Sequence, residues 1–291
     1  MIGVRQLVDA AVAHIGGDSA RAEAELLLAH VLQCSRSWLF AWPQFEPDDQ
    51  QRDAFERLVS ARSEGQPIAY LLGRRGFWSL DLEVSPAVLI PRPETELLVE
   101  LALALIPLDA ICSIADLGTG SGAIALVLAH ERPRASVMAT DASIEALDVA
   151  RSNSVRLRIP NVAFAQGHWC AALGDARFDL IVSNPPYIAN GDHHLDQGDV
   201  RHEPRMALTS GDDGLDAIRC IVRDTPVHLR DGAWLLLEHG WQQGAAVREL
   251  LRGAGFADVM SHNDLEGRER VSAGRVACQK NPAQARDKFS L

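Results

Sequence analysis

The chain has 291 residues, 47% of them hydrophobic and 23% charged, with a net charge of -11. This balance fits a soluble globular protein with one large domain, or a large domain and a small companion, and it excludes wholesale disorder. The acidic charge weighs against an enzyme that grips a nucleic-acid backbone, since such affinity comes from Lys and Arg neutralising phosphates; a small molecule or a basic protein is the better-matched partner.

The five cysteines (Cys34, Cys112, Cys170, Cys220 and Cys278) are widely spaced and form no C-x-x-C pair. They indicate neither a zinc knuckle nor a disulfide framework, and reduced thiols suit the cytoplasm. No signal peptide is read at the N-terminus, where Asp9 comes early. The most apolar stretch, residues 97–114, is interrupted by Glu100, Pro107 and Asp109 and is not expected to span a bilayer. Disorder is expected only in the polar tail, residues 281–291.

Up to about Gly65 the chain reads as helical. Val4, Leu7, Val8 and Ala11 recur at helical spacing, as do Ala24, Leu27, Leu28, Val31 and Leu32. Asp18 or Ser19 is available to cap the second of these helices. Phe55, Leu58 and Val59 share one face of a further amphipathic stretch over 52–64, and Trp38, Trp42 and Phe45 are expected in the core of this small helical domain. Over 76–90 the period drops to two, with Phe77, Leu80, Leu82 and Val84 between polar residues as in a hairpin.

Pro91 and Pro93 mark a boundary, with Pro93 in the first turn of a helix over 94–105. Strands are then expected at 113–117, 136–140, 162–165, 179–183 and 233–238, with helices at 123–130, 144–156, 215–229 and 241–254. Two last strands flank a turn at 266–269. The alternation implies an α/β domain, its mostly parallel sheet covered on both faces. The expected divisions are a helical domain over 1–75, a hairpin linker over 76–92 and the α/β domain over 93–291.

The segment Asp116-Leu117-Gly118-Thr119-Gly120-Ser121-Gly122 runs from strand to helix, and its glycines suit a tight turn that lets backbone approach a ligand. Asp141, ending the next strand, stands where a carboxylate can accept ribose hydroxyls. Gly118, Gly120 and Ala123 also satisfy the relaxed dinucleotide pattern, so NAD stays open at this point. Two details favour S-adenosylmethionine. Asp116 precedes the first glycine, where it would face a cationic ammonium and repel a pyrophosphate, and the loop carries more glycine than a dinucleotide needs. The bland alternative is a tight turn with solvated aspartates.

The most informative segment is Ser183-Asn184-Pro185-Pro186-Tyr187, at the end of a buried strand. In an open α/β sheet this loop opens on the same cleft as the glycine loop. A planar amide or exocyclic amino nitrogen is a poor nucleophile because its lone pair is delocalised. Methylating it requires that both N–H bonds be held while the lone pair faces the methyl group. Asn184 can accept one N–H through its side-chain oxygen and the Pro185 carbonyl the other, with the two prolines fixing both acceptors in advance. Tyr187 offers a ring face to stack on the target or to attract a sulfonium. No strong base is needed, since the nitrogen becomes acidic once alkylated. A plain Asn-Pro turn is the competing reading. His193, His194 and His202, with Asp192 and Glu203, lack the helical spacing of a metal site and are read as part of a mobile substrate-covering loop; no metal is expected. Arg92 is read as surface charge.

With these segments in place the chain resembles the HemK/PrmC glutamine methyltransferases of release factors. The Asn-Pro-Pro-Tyr motif alone is shared with adenine-N6 DNA methyltransferases and some RNA guanine methyltransferases. The discriminating parts are Gln66-Pro67-Ile68-Ala69-Tyr70-Leu71-Leu72-Gly73 and Leu89-Ile90-Pro91-Arg92-Pro93-Glu94-Thr95-Glu96. Further matches are Glu203-Pro204-Arg205-Met206-Ala207-Leu208, Gly211 to Gly214, and Glu238-His239-Gly240 with Gln243, so the resemblance runs in order along nearly the whole chain.

The resemblance implies a class I, Rossmann-like methyltransferase domain with a seven-stranded sheet, behind a helical domain that helps dock the substrate. It implies S-adenosylmethionine as cofactor, class 1 peptide chain release factors as protein partner, and the glutamine of their Gly-Gly-Gln loop as target. Asp116 and Gly118, Thr119, Gly120, Ser121 and Gly122 would hold the methionine part of the cofactor, Asp141 the ribose and Trp169 the adenine. Asn184, Pro185, Pro186 and Tyr187 would hold the glutamine amide, with Asn184 also beside the cofactor. His168 departs from the acidic residue the family more often places before the aromatic. A monomeric, cytoplasmic enzyme with no direct nucleic-acid or membrane partner is expected. The alternatives are a ribosomal-protein glutamine methyltransferase, a nucleic-acid amino methyltransferase (which would want a basic face), a non-catalytic binding module, and an NAD oxidoreductase, which leaves Asn184 and Tyr187 without a role.

Overall fold

Five helices open the chain in a computed structural model that describes residues 2–277: α1 (Val4–Ile15), α2 (Ala20–Leu32), α3 (Arg36–Ala41), α4 (Asp49–Ser63) and α5 (Ile68–Leu72). Cys278 and the tail 281–291 lie outside the described residues. The apolar spacing of the first helices has the expected consequence, for Val4, Leu7, Val8, Ala24, Leu27, Leu28, Phe55 and Val59 form one buried cluster. Asp48 and Gln51 close a reciprocal capping box on α4 at 2.8 and 3.0 Å. Ser19 occupies the N-cap position of α2 but makes no capping bond; its hydroxyl instead donates to the Glu23 carboxylate at 2.9 Å. Trp42 and Phe45 depart from the expected core position. They are 59% and 41% exposed and pack on the partly buried Trp38 as a surface aromatic group.

The described chain divides into two compact units. One contains the chain to Arg75, with Val84–Pro86 and His193–Glu203; the other contains Gly76–Glu83, Ala87–Asp192 and the chain from Pro204. The excursion at His193–Glu203, expected as a mobile cover, forms two 3₁₀ turns (His193–Asp196 and Gly198–His202) within the helical unit. Arg62 of α4 donates to the Asp199 carboxylate at 2.9 Å, and Arg201 donates to the Glu64 carbonyl at 2.7 Å.

A hairpin follows α5, formed by β1 (Arg74–Phe77) and β2 (Leu80–Glu83). The hairpin is shorter than expected, because the buried Val84, Val88 and Ile90 lie in coil. A 3₁₀ turn at Pro93–Thr95 leads into α6 (Glu96–Leu105). Then come β3 (Ser113–Leu117), α7 (Ala123–Glu131), β4 (Ser136–Asp141), α8 (Ile144–Leu157), β5 (Val162–Gln166) and β6 (Phe178–Ser183). The chain continues through α9 (Asp216–Asp224), β7 (Leu229–Glu238), α10 (Gly244–Gly253), β8 (Ala257–Asn263) and β9 (Glu269–Arg275). The helix expected over 215–229 stops at Asp224, where Pro226 lacks the N–H needed to continue it and a 3₁₀ turn follows.

Strands β3 to β9 form a seven-stranded sheet in the order β5-β4-β3-β6-β7-β9-β8. The first five are parallel, while β9 and β8 are antiparallel. Neighbouring residues of β3 feed opposite cores: Ile114 packs with α6 and α7, Ala115 with α9 and α10. The chain winds outward through β4 and β5, then returns to place β6 on the other side of β3. The crevice between β3 and β6 is therefore the topological switch point, where open α/β sheets receive ligands.

A candidate active site at the sheet switch point

Leu117 ends β3, and Gly118, Gly120 and Gly122 follow with φ of 76°, 56° and 85°, left-handed values that glycine adopts without strain. The Gly118 and Thr119 N–H groups donate to the Thr140 carbonyl at 2.9 and 2.8 Å, folding the loop back over β4. The Asp141 carboxylate accepts from Gly120 N at 2.9 Å and Ser143 N at 3.0 Å. From α8 the buried Asn153 donates to the Ser121 and Glu83 carbonyls at 3.0 Å and accepts from Glu83 N at 2.7 Å, joining loop, helix and hairpin.

Asp116 is fully buried beneath this loop and is not among the residues lining the cavity. Its Oδ2 accepts from the Thr119 hydroxyl at 2.6 Å and from Ala125 N at 3.2 Å, while Oδ1 has no hydrogen-bond partner among the described residues. Burial pushes its pKa up to about 7, with the bonds from Thr119 and Ala125 pulling down and the Asp141 charge adding to the rise. Gly122 is also set back from the cavity. A Cβ there would stand 2.9 Å from Leu126 Cδ1 and 3.2 Å from Ala150 Cβ, so this glycine serves helix packing.

Across the switch point, Ser183 anchors the end of β6 by donating to the Leu117 carbonyl at 2.6 Å. Asn184 follows and donates through Nδ2 to the Thr95 hydroxyl at 3.0 Å. Pro185 is buried and Pro186 half-buried. The Tyr187 ring is half-buried, and its hydroxyl donates to Glu238 Oε1 at 3.4 Å. Burial and the neighbouring Glu238 push the phenol well above its usual pKa, so it stays protonated. Gln243 donates to the Tyr187 and Asp213 carbonyls at 3.0 and 3.1 Å and accepts from Gly240 N at 2.9 Å. Gly214 leaves no room for a side chain, as a Cβ would stand 2.2 Å from the Tyr187 carbonyl oxygen.

These loops border a cavity of about 350 Å³, large enough for a small cofactor. Its lining follows the sheet in spatial order: His168 and Trp169 after β5, Asp141 at the end of β4, Gly118, Thr119, Gly120 and Ser121 after β3, and Asn184 and Pro186 after β6. Thr95 and Arg92 complete one side, so Arg92 is a cavity residue as well as a surface charge. Of the sequence-predicted residues, Asp116, Gly122, Pro185 and Tyr187 stand behind this lining. Thr95, Asn153 and Glu238 were given no role by sequence reasoning. Thr95 reads there as an ordinary helix start, and the other two act only through contacts distant in the chain.

Comparison with known proteins supplies an independent account. Residues 5–73 match the PrmC N-terminal domain, and residues 95–203 match the methyltransferase small domain. A release factor glutamine methyltransferase from Xylella fastidiosa (strain Temecula1) is 55% identical over 255 residues, covering 88% of this chain and 93% of that protein. One from Pseudomonas aeruginosa is 53% identical over 260 residues, covering 89% and 94%. Among solved structures, a methyltransferase from Pyrococcus furiosus shares the fold with a TM-score of 0.52 at 18% identity, over 76% of this chain and 98% of that one.

Proposed function

Since the chain belongs to the release factor glutamine methyltransferase family, we propose that it methylates the N5 amide nitrogen of the glutamine in the Gly-Gly-Gln motif of class 1 peptide chain release factors. It is an S-adenosylmethionine-dependent enzyme of the class I fold. The observation that carries the substrate reading is that Asn184, an amide-holding residue, borders the same cavity as the glycine loop, Asp141 and Trp169.

Two features of the cavity suit the cofactor. Gly120 lines it, and a Cβ at that position would project into open space, leaving room for ligand against bare backbone. The buried Asp116 ties the glycine loop from beneath through Thr119 and Ala125, fixing the backbone that borders the cavity. Bound S-adenosylmethionine supplies a methyl carbon made electrophilic by its sulfonium. The protein's part is to hold, orient and exclude water. Asp141 is proposed to accept from the ribose and the Trp169 ring to lie along the adenine. Asn184 Oδ1 and the Pro185 carbonyl are proposed to receive the two amide N–H bonds. Tyr187 backs that pocket from behind its lining while its protonated hydroxyl donates to Glu238. The reaction needs position and electrostatic complementarity more than a base.

The same reading has the enzyme working as a monomer in the cytoplasm without a nucleic-acid partner. Among the described residues no helix is long and apolar enough to cross a membrane. The test is Asn184→Ala with labelled S-adenosylmethionine and a purified release factor. Loss of a single oriented acceptor predicts a fall in kcat of about 10²–10³, while cofactor affinity measured by calorimetry changes far less. Transfer at the wild-type rate would remove Asn184 from the chemistry.

A further inference from the structure

Asn184 and the Pro185 carbonyl belong to a loop with few backbone donors of its own. Pro185 and Pro186 carry no N–H, so neither can bond a neighbouring segment in that way. The loop is gripped from its two ends. Ser183 fixes the start through the Leu117 carbonyl at 2.6 Å. At the far end Ile188 N donates to the Leu208 carbonyl and Ser210 N to the Ile188 carbonyl, both at 2.9 Å. Between these ends the Tyr187 carbonyl accepts from a side chain, Gln243 Nε2, at 3.0 Å.

Gln243 holds the N-cap position of α10 but makes no capping bond with its side chain. Its amide is spent on three backbone groups. Oε1 accepts from Gly240 N at 2.9 Å, and Nε2 donates both to the Tyr187 carbonyl and to the Asp213 carbonyl, the latter at 3.1 Å. The partners fix the polarity of this amide, because an N–H only donates and a carbonyl only accepts. They demand one acceptor and two donors in a single planar group. Glutamine offers that set, and an ionised glutamate, which only accepts, does not.

The base of this clamp is the sheet. His239, fully buried just after β7, pairs through Nδ1 with the Gly240 carbonyl at 2.9 Å and through Nε2 with the Ser272 hydroxyl of β9 at 2.8 Å. The clamp also has no slack, since a Cβ on Gly214 would stand 2.2 Å from the Tyr187 carbonyl oxygen and 2.8 Å from Gln243 Nε2. Two sequence segments without a role so far, Gly211 to Gly214 and His239-Gly240 with Gln243, therefore close on one peptide group of the Asn184 loop.

We infer that Gln243 is a positioning residue for methyl transfer. Its amide sets the Tyr187 peptide and, through the stiff proline link, the Pro185 carbonyl and Asn184 at the angle that receives the substrate amide. The inference rests on the proposed glutamine methylation and deepens it. Gln243 is not among the residues lining the cavity, so it acts through this loop.

The test compares wild type with Gln243→Glu and Gln243→Met between about pH 5 and pH 9. It reads kcat with a class 1 release factor, S-adenosylmethionine affinity by calorimetry, and hydrogen exchange of the amides at 187–190. In Gln243→Glu an ionised carboxylate faces the Tyr187 and Asp213 carbonyls, acceptor against acceptor. Its kcat at neutral pH is expected to fall about tenfold or more, the scale of a carbonyl left without its donor, while cofactor affinity stays close to wild type. On acidification the carboxyl gains a proton and offers a donor again. The ratio of its kcat to that of wild type is therefore expected to climb as the pH falls. Gln243→Met, which has no N–H to give, is expected to be slow at every pH. Both variants should exchange faster at 187–190 near neutral pH.

Wild-type kcat in both variants would overturn the inference. So would a Gln243→Glu ratio that stays flat with pH, or activity losses matched by equal losses of cofactor affinity. If Gln243→Glu does not fold, Gln243→Met decides by the split between kcat and cofactor affinity. Wild type that transfers no methyl to the release factor would reject the reaction on which the inference rests; exchange at 187–190 then decides the clamp, and unchanged exchange would overturn it.

Discussion

Gly120 and Gly214 carry nearly opposite spatial demands on similar backbones. Both hold positive φ, 56° and 76°, so an alanine at either costs about 1–2 kcal/mol in backbone strain. At Gly120 the added methyl meets nothing within 4 Å and enters the cavity. Gly120→Ala is therefore predicted to leave a folded protein with weakened S-adenosylmethionine binding, measured by calorimetry. At Gly214 the methyl would overlap the Tyr187 carbonyl and crowd Gln243 Nε2 at 2.8 Å. Gly214→Ala should lower the melting temperature more and reduce kcat with a smaller effect on cofactor affinity, since it displaces the loop that follows Asn184. Equal effects of the two substitutions on cofactor affinity would contradict this division of roles. Asp116 corrects a simpler expectation at the same scale. Its carboxylate lies under the loop as a tie for Thr119 and Ala125, so any pull on a bound cation acts from behind the backbone.

Among the elements, α8 has a task that its amphipathic pattern does not reveal. Asn153 meets three backbone groups, on β2 and on the glycine loop, from a fully buried position. Asn153→Ala strands these groups at about 1–3 kcal/mol for each that water cannot reach. A drop in melting temperature together with weaker cofactor binding is predicted; a drop in stability alone would show that Ser121 holds its place without the helix. Such ties explain which parts of the fold were legible beforehand. β3 is legible at its observed bounds because a short, mostly apolar segment runs into a glycine turn, the pattern of a strand buried on both faces. The 3₁₀ turn Trp169–Leu173 is not legible in the sequence, since so short a turn carries no clear periodicity. The hairpin is shorter than its pattern suggests because Val84, Val88 and Ile90 sit at strand-like spacing while packing as coil. The helix expected from residue 241 begins at Gly244, because Gly240 and Gln243 form a hydrogen-bonded turn first. At the site, the glycine loop and Asn184-Pro185-Pro186-Tyr187 were legible as local motifs. Thr95 and Glu238 were not, because their meaning lies in contacts 89 and 51 residues away along the chain.

For the whole molecule, composition and topology point the same way. A net charge of -11 suits a protein substrate better than a polyanion, and the sheet winds so that two motif-bearing loops meet at one crevice. The helical unit is not a simple N-terminal segment, because it incorporates His193–Glu203 from far along the chain. Arg62 holds that excursion through Asp199 while also binding Glu23 at 2.8 Å. Burial raises the Glu23 pKa, but the bonds from Arg62 and Ser19 outweigh it and keep the carboxyl below its ordinary value, so this tie is complete at neutral pH and weakens in acid.

The central claim is that this fold methylates one glutamine amide of a release factor. The most direct test incubates the full chain with labelled S-adenosylmethionine and a purified class 1 release factor, then maps the methyl group by peptide mass spectrometry. A Gly-Gly-Gln→Gly-Gly-Ala substrate is the control. The account predicts one added methyl on the side-chain nitrogen of that glutamine, absent from the control. No transfer to the release factor under conditions where the cofactor binds, or a methyl found instead on a ribosomal protein or a nucleic-acid base, would contradict it.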